Sequence, residues 1–129
     1  MSESYRDLIV WQKAMALVTA IYEITEHFPA RETYGLTNQV RRAAVAIPSD
    51  IAEGKGRISK KEYVQMLARA RGSMFEVQTQ LEISRNLGFL SNESFHDIES
   101  KGAEVGRLLN GLITKIRRDI EEATRSQSS

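Results

Sequence analysis

Cysteine is absent from the chain, so neither a disulfide nor a thiolate metal site can form. A reducing compartment suits such a composition. Proline occurs twice and glycine eight times in 129 residues, too sparsely for a loop-dominated or low-complexity chain. No apolar run approaches the ~18 residues of a membrane span. The opening stretch, MSESYRDLIVWQ, lacks the basic and then apolar regions of a signal peptide. These absences predict a cytoplasmic chain with no membrane partner and no cofactor. A chain of 129 residues fits one domain and buries roughly two-thirds of its unfolded surface without a staple.

What is present is helical periodicity. Leu8, Trp11, Met15, Val18, Tyr22 and Thr25 alternate at spacings of three and four, which marks a helix from about Ser4 to His27. A second apolar stripe, Val10, Ala14, Leu17, Ile21, Ile24 and Phe28, runs beside it. One helix with two seams has more apolar surface than a simple surface helix. Pro29 ends the segment. A second helix runs from Tyr34 or Thr37 to Glu53, with Leu36, Val40, Ala43, Ala44, Ile47 and Ile51 on its apolar face. Pro48 lies inside it and predicts a kink, and Gly54 is the expected left-handed residue after its end.

Ser59-Lys60-Lys61-Glu62 reads as a capping box that opens a third helix, with Ile58 and Tyr63 in the staple positions. Gly88 stops that helix near Leu87. Ser91 caps a fourth, with Leu90 and Phe95 as its staple, extending to about Thr124. No segment alternates as a strand does, and the connections are short. The pattern predicts an all-α, antiparallel up-down-up-down four-helix bundle over residues 1–123 and a disordered C-terminal tail over 124–129.

Motifs for chemistry are thin. Gly54-Lys55-Gly56-Arg57 lacks the spacing, the Ser or Thr and the preceding strand of a phosphate-binding loop. Glu93-Ser94-Phe95-His96 is one E-x-x-H, where a di-iron bundle needs two. The other histidine, His27, has Ile24 at the glutamate position. There is no nucleophile elbow. The expectation is a protein that is not an enzyme and holds no metal.

Charge is uneven although the net charge is only +1. Residues 41 to 71 carry eight cations and three anions, a balance of +5, which leaves −4 for the rest. That asymmetry makes Arg41, Arg42, Lys55, Arg57, Lys60 and Lys61 the candidate nucleic-acid contacts. Two polar stripes stand apart from them. Asn38, Arg42, Ser49 and Glu53 share one side of the second helix, and Arg69, Ser73, Glu76 and Gln80 share one side of the third. If the stripes face each other, Arg42, Glu53, Arg69, Ser73 and Glu76 form a polar network, with Arg42–Glu76 or Arg69–Glu53 as its ion pairs. Gly102 and Gly106 sit one turn apart on the fourth helix and permit close helix approach.

Leu36 to Gly54, with its run RRAAVAIPSDIAEG, continues through Arg57-Ile58-Ser59 and the Gly72-Ser73-x-x-Glu76 of the third helix. Together with Trp11-Gln12-Lys13-Ala14 and Phe28-Pro29, these residues resemble the bundle proteins named for intervening sequences in bacterial 23S ribosomal RNA genes. The resemblance covers Tyr5 to Leu112. It implies a ring-like homopentamer, and the fold also resembles basic accessory proteins of diversity-generating retroelements. Arg41, Arg42, Glu53, Ser73 and Glu76 match the family pattern, whereas Ala46 and Asp50 stand where serine and asparagine are usual. The sequence thus favours a non-enzymatic homo-oligomer that binds RNA or DNA backbone through a basic end. The alternative is an oligomeric scaffold for a protein partner.

Overall fold

A computed structural model describes residues 4–128. Four helices account for most of them: α1 (Ile9–Thr25), α2 (Leu36–Lys55), α3 (Lys60–Asn86) and α4 (Asn92–Ser128). Each helix packs against its two sequence neighbours around the ring, with α4 closing back on α1. The short connections reverse the chain each time, which gives the up-down-up-down bundle that the periodicity predicts. No strand occurs among the described residues.

The two seams of α1 have different fates. Val10, Ala14, Leu17 and Ile21 face the core, with Phe28 just beyond the helix. They meet Val40, Ala44, Ile47 and Ile51 of α2, Leu67, Met74, Val77 and Leu81 of α3, and Ile98, Val105, Leu109 and Ile113 of α4. Most of the other stripe lies at the margin or turns outward, although its last residue, Thr25, is buried. Trp11 and Val18 are half-buried, and Met15 and Tyr22 are exposed. A bundle of four helices can cover only one broad face of each.

The helix ends show where local chemistry holds and where it yields. A 3-10 turn at Tyr5–Asp7, capped by the Ser4 side chain, precedes α1, so the helix proper begins at Ile9 rather than at Ser4. Helix α2 runs through Pro48 unbroken and continues past the predicted end. Gly54 lies inside it and is not a left-handed cap. The reason is packing: a Cβ on Gly54 would lie 2.8 Å from Met66 Cβ and 3.0 Å from Tyr63 Cδ1. Only hydrogen fits where α2 meets α3 this closely. The left-handed glycine is Gly88, at φ 78°, between α3 and α4.

Ser59 accepts the Glu62 backbone N–H at 3.1 Å and Ser91 accepts that of Ser94 at 3.1 Å, so both predicted N-caps form. The Leu90–Phe95 staple is buried. Its predicted counterpart is not formed, because Ile58 is fully exposed and has no wall to pack on. Helix α4 runs to Ser128, beyond the end expected near Thr124, since neither proline nor glycine interrupts it after Gly111. Of the predicted tail over 124–129, Ser129 lies outside the described residues.

Candidate functional site

Six cations were candidates for nucleic acid, and the structure separates them into three places. Arg41 pins α2 to the C-terminal end of α1. Its Nε donates to Thr25 Oγ1 at 2.8 Å and its Nη2 donates to the Tyr22 carbonyl at 3.2 Å. The guanidinium also lies 4.4 Å from the centre of the Tyr22 ring. These contacts commit Arg41 to tertiary structure. Arg42, the next residue, points to the other side of α2.

Lys55, Arg57, Lys60 and Lys61 gather where α2 hands over to α3. Arg57 is held by Glu53 one turn earlier, Nη2 to Oε1 2.7 Å. Lys60 reaches Asp119 of α4 at 3.9 Å. That contact places the C-terminal half of α4 at the same end and brings in Arg117 and Arg118, both exposed and adjacent to Asp119. The sequence displays this arginine pair openly, but its nearness to Lys60 depends on how α4 lies against α3. Ile58 projects fully into solvent in the middle of the cationic turn.

The two polar stripes face each other only in part: Ser49 lines a separate groove beside α1, and Glu53 and Arg69 do not line the shared one. Arg42 and Asn38 of α2 and Ser73, Glu76 and Gln80 of α3 line one groove of about 580 Å³. Tyr34 and Gln39, which pattern reasoning passed over, also line it, as does Ala46. The predicted ion pairs do not form among the described residues: no bridge joins Arg42 to Glu76, and the Glu53 carboxylate is turned to Arg57 instead of Arg69. A partner four residues along the chain, just past the end of α2, is closer to hand than one across two helices. Arg69 acts instead on Asp50. This carboxyl is buried, and desolvation raises its pKa above the ordinary value of 3.8, with Arg69 pulling it down and Glu53 pushing it up.

The remaining histidines sit on the surface. His96 is exposed and lies 3.9 Å from Glu99, and His27 is exposed just beyond the end of α1. No cluster of three His, Asp or Glu side chains that could hold a metal occurs among the described residues. No helix among them is long and apolar enough to cross a membrane.

Fold and surface together define an all-α four-helix bundle with a cationic end and a separate polar groove. The chain belongs to the 23S rRNA-intervening sequence protein family, whose model matches residues 6–111. It is also similar to a solved structure from Bacteroides thetaiotaomicron, a protein with unknown function from the S23 ribosomal protein family. The two share 19% identity over 81% of this chain and 98% of that one, with a TM-score of 0.74, which establishes the shared fold. No curated protein matches this chain.

Proposed function

We propose that this protein is a non-enzymatic, self-associating module that grips the backbone of RNA or DNA through the α2–α3 end. The observation that supports this reading is the convergence of Lys55, Arg57, Lys60 and Lys61 on one turn, reinforced by Arg117 and Arg118 of α4. Self-association, as the pentamer that the family resemblance implies, repeats this modest cluster around a ring. Several weak contacts then act together. It also gives a use to the outward seam of α1. Trp11, Met15 and Val18 join Val45, Pro48 and Ala52 of α2 around an apolar groove of about 320 Å³ that a lone bundle leaves uncovered.

Backbone contact predicts no sequence preference at this end and a strong dependence on salt, because each neutralised phosphate releases counterions. The test is a fluorescence-anisotropy titration of a labelled structured RNA at low and physiological salt. Saturable binding that weakens steeply with salt is expected. Replacing Lys55, Arg57, Lys60 and Lys61 together with glutamine should weaken it at least ~10-fold and flatten the salt slope. No binding at low salt overturns the reading.

A second reading, a scaffold for a protein partner, is favoured by the exposed Phe75 and Ile83 on α3. Capture of the same protein partners before and after nuclease treatment of a lysate would support it over the first.

A further inference from the structure

The α2–α3 groove lies apart from the basic end and uses different chemistry. Its charges cancel: Arg42 comes from one wall and Glu76 from the other. Neither makes an ion pair among the described residues. Gln80 stands one turn beyond Glu76 on α3, and its Oε1 is shielded from solvent while no protein donor reaches it. One wall therefore offers acceptors, the Glu76 carboxylate and the Gln80 carbonyl. The other offers donors, the Arg42 guanidinium and the Asn38 amide. Tyr34 stands at the rim with 94% of its surface exposed, a flat ring with nothing to cover it.

A buried acceptor without a donor is costly, and the Arg42 guanidinium and the Glu76 carboxylate, exposed on opposite walls, are both open to a ligand. A ligand that completes both must present neighbouring N–H groups to α3 and neighbouring acceptors to α2, and it must be flat to use Tyr34. We propose that this groove binds a guanine base. Guanine carries N1–H beside its N2 amino group on one edge, and O6 and N7 on the next. Arginine matches O6 and N7 bidentately, a carboxylate matches the paired N–H groups, and an exposed aromatic ring supplies stacking. Adenine, cytosine and uracil each lack the paired N–H donors. About 580 Å³ is within the usual range for a small-molecule site. The groove carries no net charge, so the ribose and phosphate remain in solvent and add little.

The probe is GMP, titrated against AMP, CMP and UMP into isotope-labelled protein and followed by NMR shifts of Arg42, Ser73 and Gln80. GMP is expected to saturate and to bind at least ~10-fold more tightly than the others. Glu76→Gln should weaken GMP about 10-fold and narrow its lead over AMP. Tyr34→Ala, at an exposed position where folding is not at risk, should weaken all four nucleotides several-fold.

Replacing the four cations of the α2–α3 end should leave GMP binding unchanged, so this site and the backbone-binding end fail independently. A guanine-containing single strand that outcompetes GMP would assign the base to RNA or DNA, and the reverse order would assign it to a free nucleotide. Equal affinity for the four nucleotides, or no saturable shift, overturns the proposal. So does dissociation of an oligomer by Arg42→Gln with no nucleotide binding, since the groove is then a seam between subunits.

Discussion

Two glycines that look alike in the sequence differ in what they meet. Gly54 leaves no room for a methyl group, with Met66 and Tyr63 at 2.8 and 3.0 Å. Gly72, inside α3, has nothing within 4 Å of the place a Cβ would take. Alanine favours a helix interior by roughly 1 kcal/mol over glycine. At Gly72 that gain should appear in full, so Gly72→Ala should raise the denaturation midpoint. Gly54→Ala should lower stability by about 1–3 kcal/mol despite the same propensity gain, because overpacking dominates. Chemical denaturation of the two variants decides the point; equal effects would mean that α2 and α3 can move apart freely.

Asp50 gives a pH-dependent case. Its carboxyl is raised by burial, so the folded state holds the proton more tightly than the unfolded chain does. Stability from this group is therefore greatest below the ordinary value and falls as pH rises through 3.8 toward the raised folded value. Above both, the buried charge weighs on the fold in full. Asp50→Asn should then raise Tm at pH 7 and change it little at pH 3. Melts at the two pH values check this, and an equal gain at both would point to shape rather than charge.

At the scale of elements, the helix starts are encoded locally. Ser59 and Ser91 each satisfy a free amide at 3.1 Å, and the same serines mark those starts in the sequence. Ser59→Ala should cost about 1 kcal/mol, read from the shift of the denaturation midpoint with the slope unchanged. The helix ends are less legible. Gly54 has the look of a terminator, yet α2 runs on to Lys55 because Ile51 and Gly54 are buried against α3. Ile58 looks like a staple and is not one, because no neighbour approaches it. Helix α2 also passes through Pro48, with the Ser49 hydroxyl donating to the Val45 carbonyl at 2.8 Å. Local signals describe what a segment can do alone, and packing selects among those options.

At the scale of the whole molecule, the outward seam of α1 sets the expectation for assembly. Met15 is 41% and Val45 40% exposed on either side of the groove that Trp11 and Val18 also line. A double variant, Met15→Glu with Val45→Glu, should fold as well as the parent, since neither side chain belongs to the core. In sedimentation it should run as a smaller species. An unchanged sedimentation coefficient would exclude this face as the subunit contact. The salt bridges between helices, Lys13–Glu104 at 3.6 Å and Lys60–Asp119 at 3.9 Å, are solvent-exposed and contribute little. The fold is held by its apolar interior.

By itself the sequence determined the number of helices, their order, the core face of α2 and two of their caps. Each of these follows from a period of 3.6 residues or from a side chain bonding to an amide three residues away. Of the six candidate cations, Lys55, Arg57, Lys60 and Lys61 were legible as one basic end, because they lie close together in the chain between two helices. Tertiary structure alone decided that Arg41 is a pin, that Arg42 and Glu76 line the two walls of a groove with no ion pair between them, and that Lys55, Arg57, Lys60 and Lys61 share an end with Arg117 and Arg118. Those relations join residues tens of positions apart. They depend on the register and rotation of one helix against another, which are set by the packing of the core and not by any local run of residues.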